Sequence, residues 1–373
     1  MYIANLMIFS RRMGNIDYLC LELIFRQMKP ISVLPVLLLL FSCSPVLERG
    51  AWEEAPYRAI CNVLQDKSLE GAYAVFDCDN TTILNDVSHT LLVYQIENLE
   101  FADAVRENFL HGLPRTDFPL EGLGLTAGEM GERLSSQYTR LRERLDGGAT
   151  LEEIHRSDEY LDFRAGFLAL REAIGEHCEY GEICLWEPML FSGLPRKVAQ
   201  QSLQYWLSQG RVWEEEWVSP DGRFRAVVQK GLVISEEMKN LYAALRRSGI
   251  TPYICSASPE WLVEELACNP ENGLGMEPDK VFGLRFLDGE YDPGYRQTYK
   301  EGKVACIDSL IAPLHGGSQP VLVAGDSAGD IPMLTAYPGM RVGLIMNQKK
   351  GRRYVSQSAS PGIVEEKRDS TIS

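Results

Sequence analysis

Positive charge is scarce in this chain. Its 373 residues carry 37 lysines and arginines against 52 aspartates and glutamates, a formal net charge of −15. A protein that grips nucleic acid needs a basic face to neutralise phosphates, so the balance speaks against nucleic acid as a partner. Histidine is rarer still, with 5 in the whole chain, and no Cys/His spacing matches a zinc site. The 9 cysteines do not make a disulfide framework in a chain of this length. Only Cys178 and Cys184 are close enough in sequence to suggest a local bridge, expected if the protein is exported. Cys78 and Cys255 lie inside apolar motifs and read as small buried hydrophobes. Internal repeats and low-complexity tracts are missing. A comfortable membrane span is missing too, because the apolar run 31–41 is short and broken by Pro35.

What is present is a globular composition, 45% hydrophobic, at a length that suits about two domains. The apolar, β-forming run Tyr73-Ala74-Val75-Phe76 ends abruptly in Asp77-Cys78-Asp79-Asn80-Thr81. Just past the carboxyl end of a central strand is where open parallel sheets bind ligands. Two carboxylates there can hold a hard cation, or one can attack an electrophile while the other moves a proton. The plainer alternative is an Asx-rich turn after a buried strand.

Downstream of this stretch the pattern turns helical. Residues 87–110 have the spacing of one or two helices, and Thr126-x-x-Glu129 and Thr150-x-x-Glu153 are capping-box starts for two more. An amphipathic helix is expected over 195–209 and a hairpin over 211–218 and 224–229. Helix and strand then alternate: a helix from Ser235 to Arg247, a strand over 251–255, a helix over 259–268 and a strand over 281–287. A helix over 302–314 and strands over 321–325 and 342–346 follow. The alternation predicts an α/β protein whose parallel sheet is covered on both faces. The expected domains are a core over 70–87 and 231–347, an inserted, mostly α-helical cap over 88–230, and a disordered tail over 348–373.

Four stretches, in order, resemble the motifs of the haloacid dehalogenase superfamily. They are Asp77-x-Asp79-Asn80-Thr81, Ser256 after the run 251–255, Lys303 in Glu301-Gly302-Lys303, and Asp326 and Asp330 in Gly325-Asp326-x-x-x-Asp330. The layout is closest to the phosphoserine phosphatase and phosphorylcholine phosphatase branch, and covers roughly residues 72–345. The resemblance implies a Rossmann-like doubly wound core and a Mg²⁺-dependent phosphomonoesterase. It casts Asp77 as nucleophile, forming an aspartyl-phosphate, and Asp79 as the acid and base that serves the leaving alcohol and then water. Ser256, with Ala257 beside it, would meet the phosphate, and Lys303 would offset its charge. Asp77, Asp326 and the Asp79 carbonyl would hold the metal directly, with Asp330 acting through water or by orienting Lys303. Asn80 and Thr81 are expected to hold the loop in shape. Ser258 competes with Ser256 on sequence alone, since either can cap the next helix.

The substrate is expected to be a small phosphorylated metabolite. Asp86 stands where phosphoserine phosphatases carry a glutamate that meets the substrate's amine, although it equally suits a helix cap. The segment Trp186-Glu187-Pro188-Met189-Leu190-Phe191-Ser192-Gly193 resembles the phosphorylcholine phosphatase group. Trp186, Trp206, Trp213 and Trp217 are candidate walls for a quaternary ammonium, and Arg115, Arg164 and Arg196 are candidate partners for a phosphoserine carboxylate. Transfer of phosphate to an alcohol, or a surface-tethered binding protein that lost the chemistry, are the alternatives. Met28-Lys29-Pro30, the apolar run and Leu40-Phe41-Ser42-Cys43 resemble a bacterial lipoprotein signal. They imply a leader over 1–43, translation from Met28, export, and a lipid on Cys43 as the membrane contact.

Overall fold

The computed structural model describes residues 46–347 and 363–367, so the leader and the lipid site at Cys43 lie outside the described residues. Every element named here belongs to the unit Leu47–Ser373. Helix α1 (Glu54–Gln65) leads into strand β1 (Tyr73–Phe76), all four residues of which are buried. Burial on both faces is why this run is apolar without alternation.

Helix α2 (Val87–Asn98) begins a long excursion through α3 (Ala127–Asp146), α4 (Asp158–His177), α5 (Tyr180–Met189) and α6 (Arg196–Ser208). The antiparallel hairpin β2 (Trp213–Val218) and β3 (Arg225–Lys230) completes it. Thr126 and Thr150 both form the capping boxes their spacing announces, but Thr150 opens only the short helix Leu151–His155 before Ser157 caps α4. Phe101, Phe109, Tyr138, Phe163 and Phe167 pack edge to face or stacked to make the core of this helical part. Leu84 and Val233 pair across an isolated antiparallel bridge where the chain leaves the core and returns.

After the hairpin come α7 (Glu236–Arg247), β4 (Thr251–Pro259), α8 (Glu260–Ala267), β5 (Val281–Leu284) and α9 (Glu301–Cys306). Strand β6 (Leu322–Gly325), α10 (Ile331–Thr335), β7 (Val342–Asn347) and β8 (Ile363–Lys367) finish the chain. The sheet order is β8-β7-β6-β1-β4-β5, with every neighbouring pair parallel. From β1 the chain steps outward through β4 to β5, then crosses back to β6. Strand β1 therefore stands at the point where the winding reverses, and its carboxyl end opens on the crevice where such sheets bind ligands.

Several details depart from the sequence-based expectation. A disordered tail is expected over 348–373, yet Ile363–Lys367 adds a sixth strand whose backbone pairs with β7. Polar composition misleads there because an edge strand gains its place from backbone hydrogen bonds. The strand expected to stop at residue 255 runs on to Pro259, with a register shift against β5 between Cys255 and Pro259. The helix expected over 302–314 is α-helical only to Cys306, then widens into a π turn and tightens into a 3₁₀ turn. Cys178 and Cys184 are free, as is every cysteine among the described residues. Cys178 ends α4 in an extended conformation while Cys184 rides on α5, so the suggested bridge does not form.

Candidate active site

Strand β1 ends in a loop fixed from several directions. The Asp77 amide donates to the Ala324 carbonyl of β6 at 2.9 Å, so the nucleophile candidate is still held by the sheet. The Thr82 hydroxyl donates to the Asp77 carbonyl at 2.7 Å and meets the Tyr242 hydroxyl at 2.8 Å. Asn80 takes a left-handed conformation, φ 57°, which asparagine tolerates, and its amide donates to Asn85. The Thr81 hydroxyl is buried and makes no hydrogen bond among the described residues. Holding the loop, expected of Asn80 and Thr81, therefore falls to Asn80 and Thr82.

Lys303 comes in from α9 and is buried between two carboxylates. Its Nζ donates to Asp77 Oδ1 and to Asp330 Oδ1, each at 2.6 Å. Burial alone would lower the lysine's pKa, but Asp330 and Asp77 together hold it well above its usual value. Asp77 itself is pushed up to about 7, first by burial and then by the charge of Asp330, with Lys303 pulling the other way. The other oxygen of Asp330 accepts from the amides of Asp326 and Ser327 and the Ser327 hydroxyl, all at 3.1 Å. Asp330 thus ties the loop after β6 to the lysine. Two glycines make this closeness possible. A Cβ on Gly302 would lie 1.8 Å from the Gln297 carbonyl oxygen, and one on Gly325 would lie 2.4 Å from Asp330 Cβ.

Asp79 points into the corner made by the start of α2 and the irregular end of β4. Its Oδ1 accepts from the Val87 amide at 2.8 Å, and its Oδ2 accepts from Ser258 Oγ at 2.7 Å and Ser256 Oγ at 3.3 Å. Burial, then the charges of Asp86 and Asp77, hold its carboxyl well above the usual carboxylate range. Both serines lie where the register of β4 against β5 shifts, two residues apart and so on one face, with Ala257 half-buried between them. Ser256 is fully buried, and its carbonyl accepts from the Thr298 hydroxyl at 2.6 Å.

Asp86 caps α2, accepting from the His89 amide at 2.9 Å. Burial, then the charge of Glu187, raise its pKa, opposed by the His89 amide and Arg171. Glu187, buried on α5, accepts from Arg171 Nε at 2.5 Å. Tyr180, Cys184 and Glu187 are spaced at i, i+4 and i+7, which puts them on one face of α5. That face lies over the site: the Tyr180 hydroxyl would sit 2.4 Å from a Cβ on Gly329, inside the loop that carries Asp326 and Asp330. Burial keeps the Cys184 thiol neutral, pushing it up to about 11. From sequence Glu187 has no assigned role; the signal for it is its spacing from Tyr180 and Cys184 on one face of α5.

The other cap residues singled out from sequence lie elsewhere. Trp186, Trp206 and Trp217 are fully buried, with their indole N–H groups donating to Phe109, Thr90 and Glu215. Trp213 packs on Trp206 under Arg211. Arg115 donates to the His177 carbonyl, Arg164 lies beside Glu215 and Trp217, and Arg196 donates to the Trp261 carbonyl.

Asp77, Asp326 and Asp330 each offer a carboxylate oxygen, all within 4.8 Å of one another. Three carboxylates against one lysine leave an excess of negative charge on hard oxygen donors. That donor set fits Mg²⁺.

A family model described as haloacid dehalogenase-like hydrolase matches residues 156–335. The phosphorylcholine phosphatase of Pseudomonas aeruginosa is 24% identical over 308 residues, 74% of this chain and 74% of that protein. The crystal structure of a conserved, functionally unknown protein from Anaerococcus prevotii superposes with a TM-score of 0.76 at 26% identity. It covers 88% of this chain and 98% of its own.

Proposed function

The chain belongs to the haloacid dehalogenase-like hydrolases and is a phosphatase of that family, and from this premise we propose that it hydrolyses the phosphate ester of a cationic amino-alcohol through an aspartyl-phosphate. The observation that carries the substrate class is the pairing of Arg171 with Glu187 beside Asp86. Two carboxylates and one arginine leave a net negative charge where the leaving group would sit, which suits an ammonium. A phosphoserine carboxylate would need a basic donor of its own. Arg171 is engaged by Glu187, and Arg115, Arg164 and Arg196 are bound elsewhere. Of the two esters expected from sequence, phosphorylcholine is therefore favoured. The relative from Pseudomonas aeruginosa, named for that substrate, supports the same choice. Tyr180 takes the place expected of tryptophan as an aromatic neighbour of the site, with Lys300 Nζ lying over its ring at 4.6 Å, where a ligand ammonium would compete with it.

Asp77, Asp326 and Asp330 would hold Mg²⁺, which when bound supplies positive charge against the phosphate oxygens. Asp77 attacks phosphorus, and Lys303 keeps it oriented and offsets charge on the phosphoryl group. Asp79 gives its proton to the departing alcohol, then takes one from the water that cleaves the aspartyl-phosphate. Ser256 would meet the phosphate by turning its hydroxyl away from Asp79 Oδ2, 3.3 Å distant.

The test is a comparison of kcat/KM across phosphorylcholine, phosphoethanolamine, phosphoserine, sugar phosphates and nucleotides. The expected order puts the ammonium esters without a carboxylate first. Asp86→Asn and Glu187→Gln should each cut that preference by ~10-fold, the worth of one charge-assisted contact. A preference for sugar phosphates or nucleotides, unchanged in both variants, refutes the substrate class. We also propose export and a lipid on Cys43. Mass spectrometry of the mature N-terminus decides it, and an unprocessed Met1 or Met28 contradicts it.

A further inference from the structure

We infer that Ser258, with Ser88 behind it, is the positioning residue that aims Asp79 at the leaving-group oxygen. The inference rests on Asp79 being the proton donor proposed above. The residue's plain alternative is a helix cap, and the geometry removes it. Pro259 occupies the N-cap of α8 and makes no side-chain cap, while the Ser258 hydroxyl turns the other way.

That hydroxyl donates to Asp79 Oδ2 at 2.7 Å, and Ser88 Oγ lies 2.8 Å behind it. A serine has one hydroxyl proton, so with Ser258 donating to Asp79, Ser88 must donate to Ser258. Asp79 Oδ1 accepts from the Val87 amide, which can only donate. The transferable proton therefore belongs on Oδ2, the oxygen that Ser258 holds. Ser258 occupies one lone pair of Oδ2 at 2.7 Å, and on the other side stands only the longer contact from Ser256 Oγ, 3.3 Å, which the leaving group's oxygen would replace. The same residue's amide donates to Ser256 Oγ at 3.0 Å, so it also fixes the serine that faces the phosphate. Ser258 and Ser88 are both buried, which keeps water from competing for either bond.

In the first half-reaction Asp77 bonds to phosphorus, the ester P–O pair leaves with the alcohol oxygen, and that oxygen takes the proton from Asp79 Oδ2. In the second, water bonds to phosphorus, the Asp77–phosphorus bond breaks, and Oδ2 receives the water's proton. The Ser258 hydroxyl donates to Oδ2 as negative charge grows there in the first step and as it fades in the second. The alcohol leaves and water takes its place, while Ser258 and Asp79 can keep the same hydrogen bond.

The test exploits the leaving group. An alkyl ester such as phosphorylcholine needs its oxygen protonated, whereas dinitrophenyl phosphate departs as a stable anion. For each ester kcat/KM reports only steps up to formation of the aspartyl-phosphate. Ser258→Ala should shift the ratio of the two kcat/KM values against phosphorylcholine by roughly 10- to 100-fold, the range of one hydrogen bond to a charged group. Ser258→Thr should restore most of it, and Ser88→Ala should shift it the same way by less. A merely structural role would lower both esters alike, and that equal loss, or no change, overturns the inference. If Ser258→Ala does not fold, Ser88→Ala carries the same comparison. A wild-type enzyme inactive on both esters would take down the reading of the site itself, whereas an active one with an unchanged ratio in both variants overturns this inference alone.

Discussion

Lys303 is the residue on which the buried charges of the site balance. It holds two carboxylates at 2.6 Å each, with almost none of its own surface exposed. Removing one partner from a buried charged cluster costs about 3–5 kcal/mol, because the charges left behind are no longer compensated. Lys303→Met keeps the bulk and loses the charge, so it should cost that much in urea unfolding and abolish turnover. Asp77→Asn differs in sign of strain. It removes a negative charge that burial and Asp330 already oppose, and leaves the Lys303–Asp330 pair intact. Its unfolding free energy should stay within ~1 kcal/mol of wild type, a surface-like effect from a central residue. Comparable destabilisation by both variants would contradict this division of charge.

At the scale of elements, the site depends on two glycines that sequence reasoning quoted only as parts of motifs. Alanine in place of Gly302, at the start of α9, would gain up to ~1 kcal/mol of helix propensity. It would also force a methyl against the Gln297 carbonyl oxygen, and overpacking of this kind costs ~1–3 kcal/mol. The clash should win, so Gly302→Ala is expected to lower thermal stability and displace Lys303, seen as lost activity; a more stable variant would show that the loop before α9 yields freely. The strands β1, β4, β6 and β7 were legible because each is a short apolar run buried on both faces and punctuated by Gly, Pro or Asp. So were Asp77 and Asp326, just past the carboxyl ends of β1 and β6, and Ser256 in the last part of β4, since motif spacing and chain order put them on the same side of the sheet. Ser258 was not, because sequence alone offered it and Ser256 equally as helix caps, and only the fold brings its hydroxyl to Asp79. The cap tryptophans misled for a different reason. Large aromatics fill a helical core wherever their N–H finds a carbonyl or carboxylate, and Trp186, Trp206 and Trp217 all do.

On the scale of the molecule, the proposed reading gives the phosphate chemistry to the parallel sheet and the selection of substrate to the inserted helices. The chain passes between the two at the paired residues Leu84 and Val233, and Leu84 lies between Asp79 and Asp86 in the sequence. The strongly acidic chain gives no general attraction to a phosphate, so under the proposed function capture would need local positive charge, from Lys303 and from a cation held by the carboxylate cluster. EDTA should therefore stop turnover, and added Mg²⁺ should restore it. The most direct measurement is acid quenching during turnover of phosphorylcholine labelled in its phosphate. A labelled protein should form, lose its label to hydroxylamine, map to Asp77, and be missing in Asp77→Asn. Steady release of phosphate with no label on Asp77, or undiminished turnover by Asp77→Asn, would contradict an aspartyl-phosphate at this site.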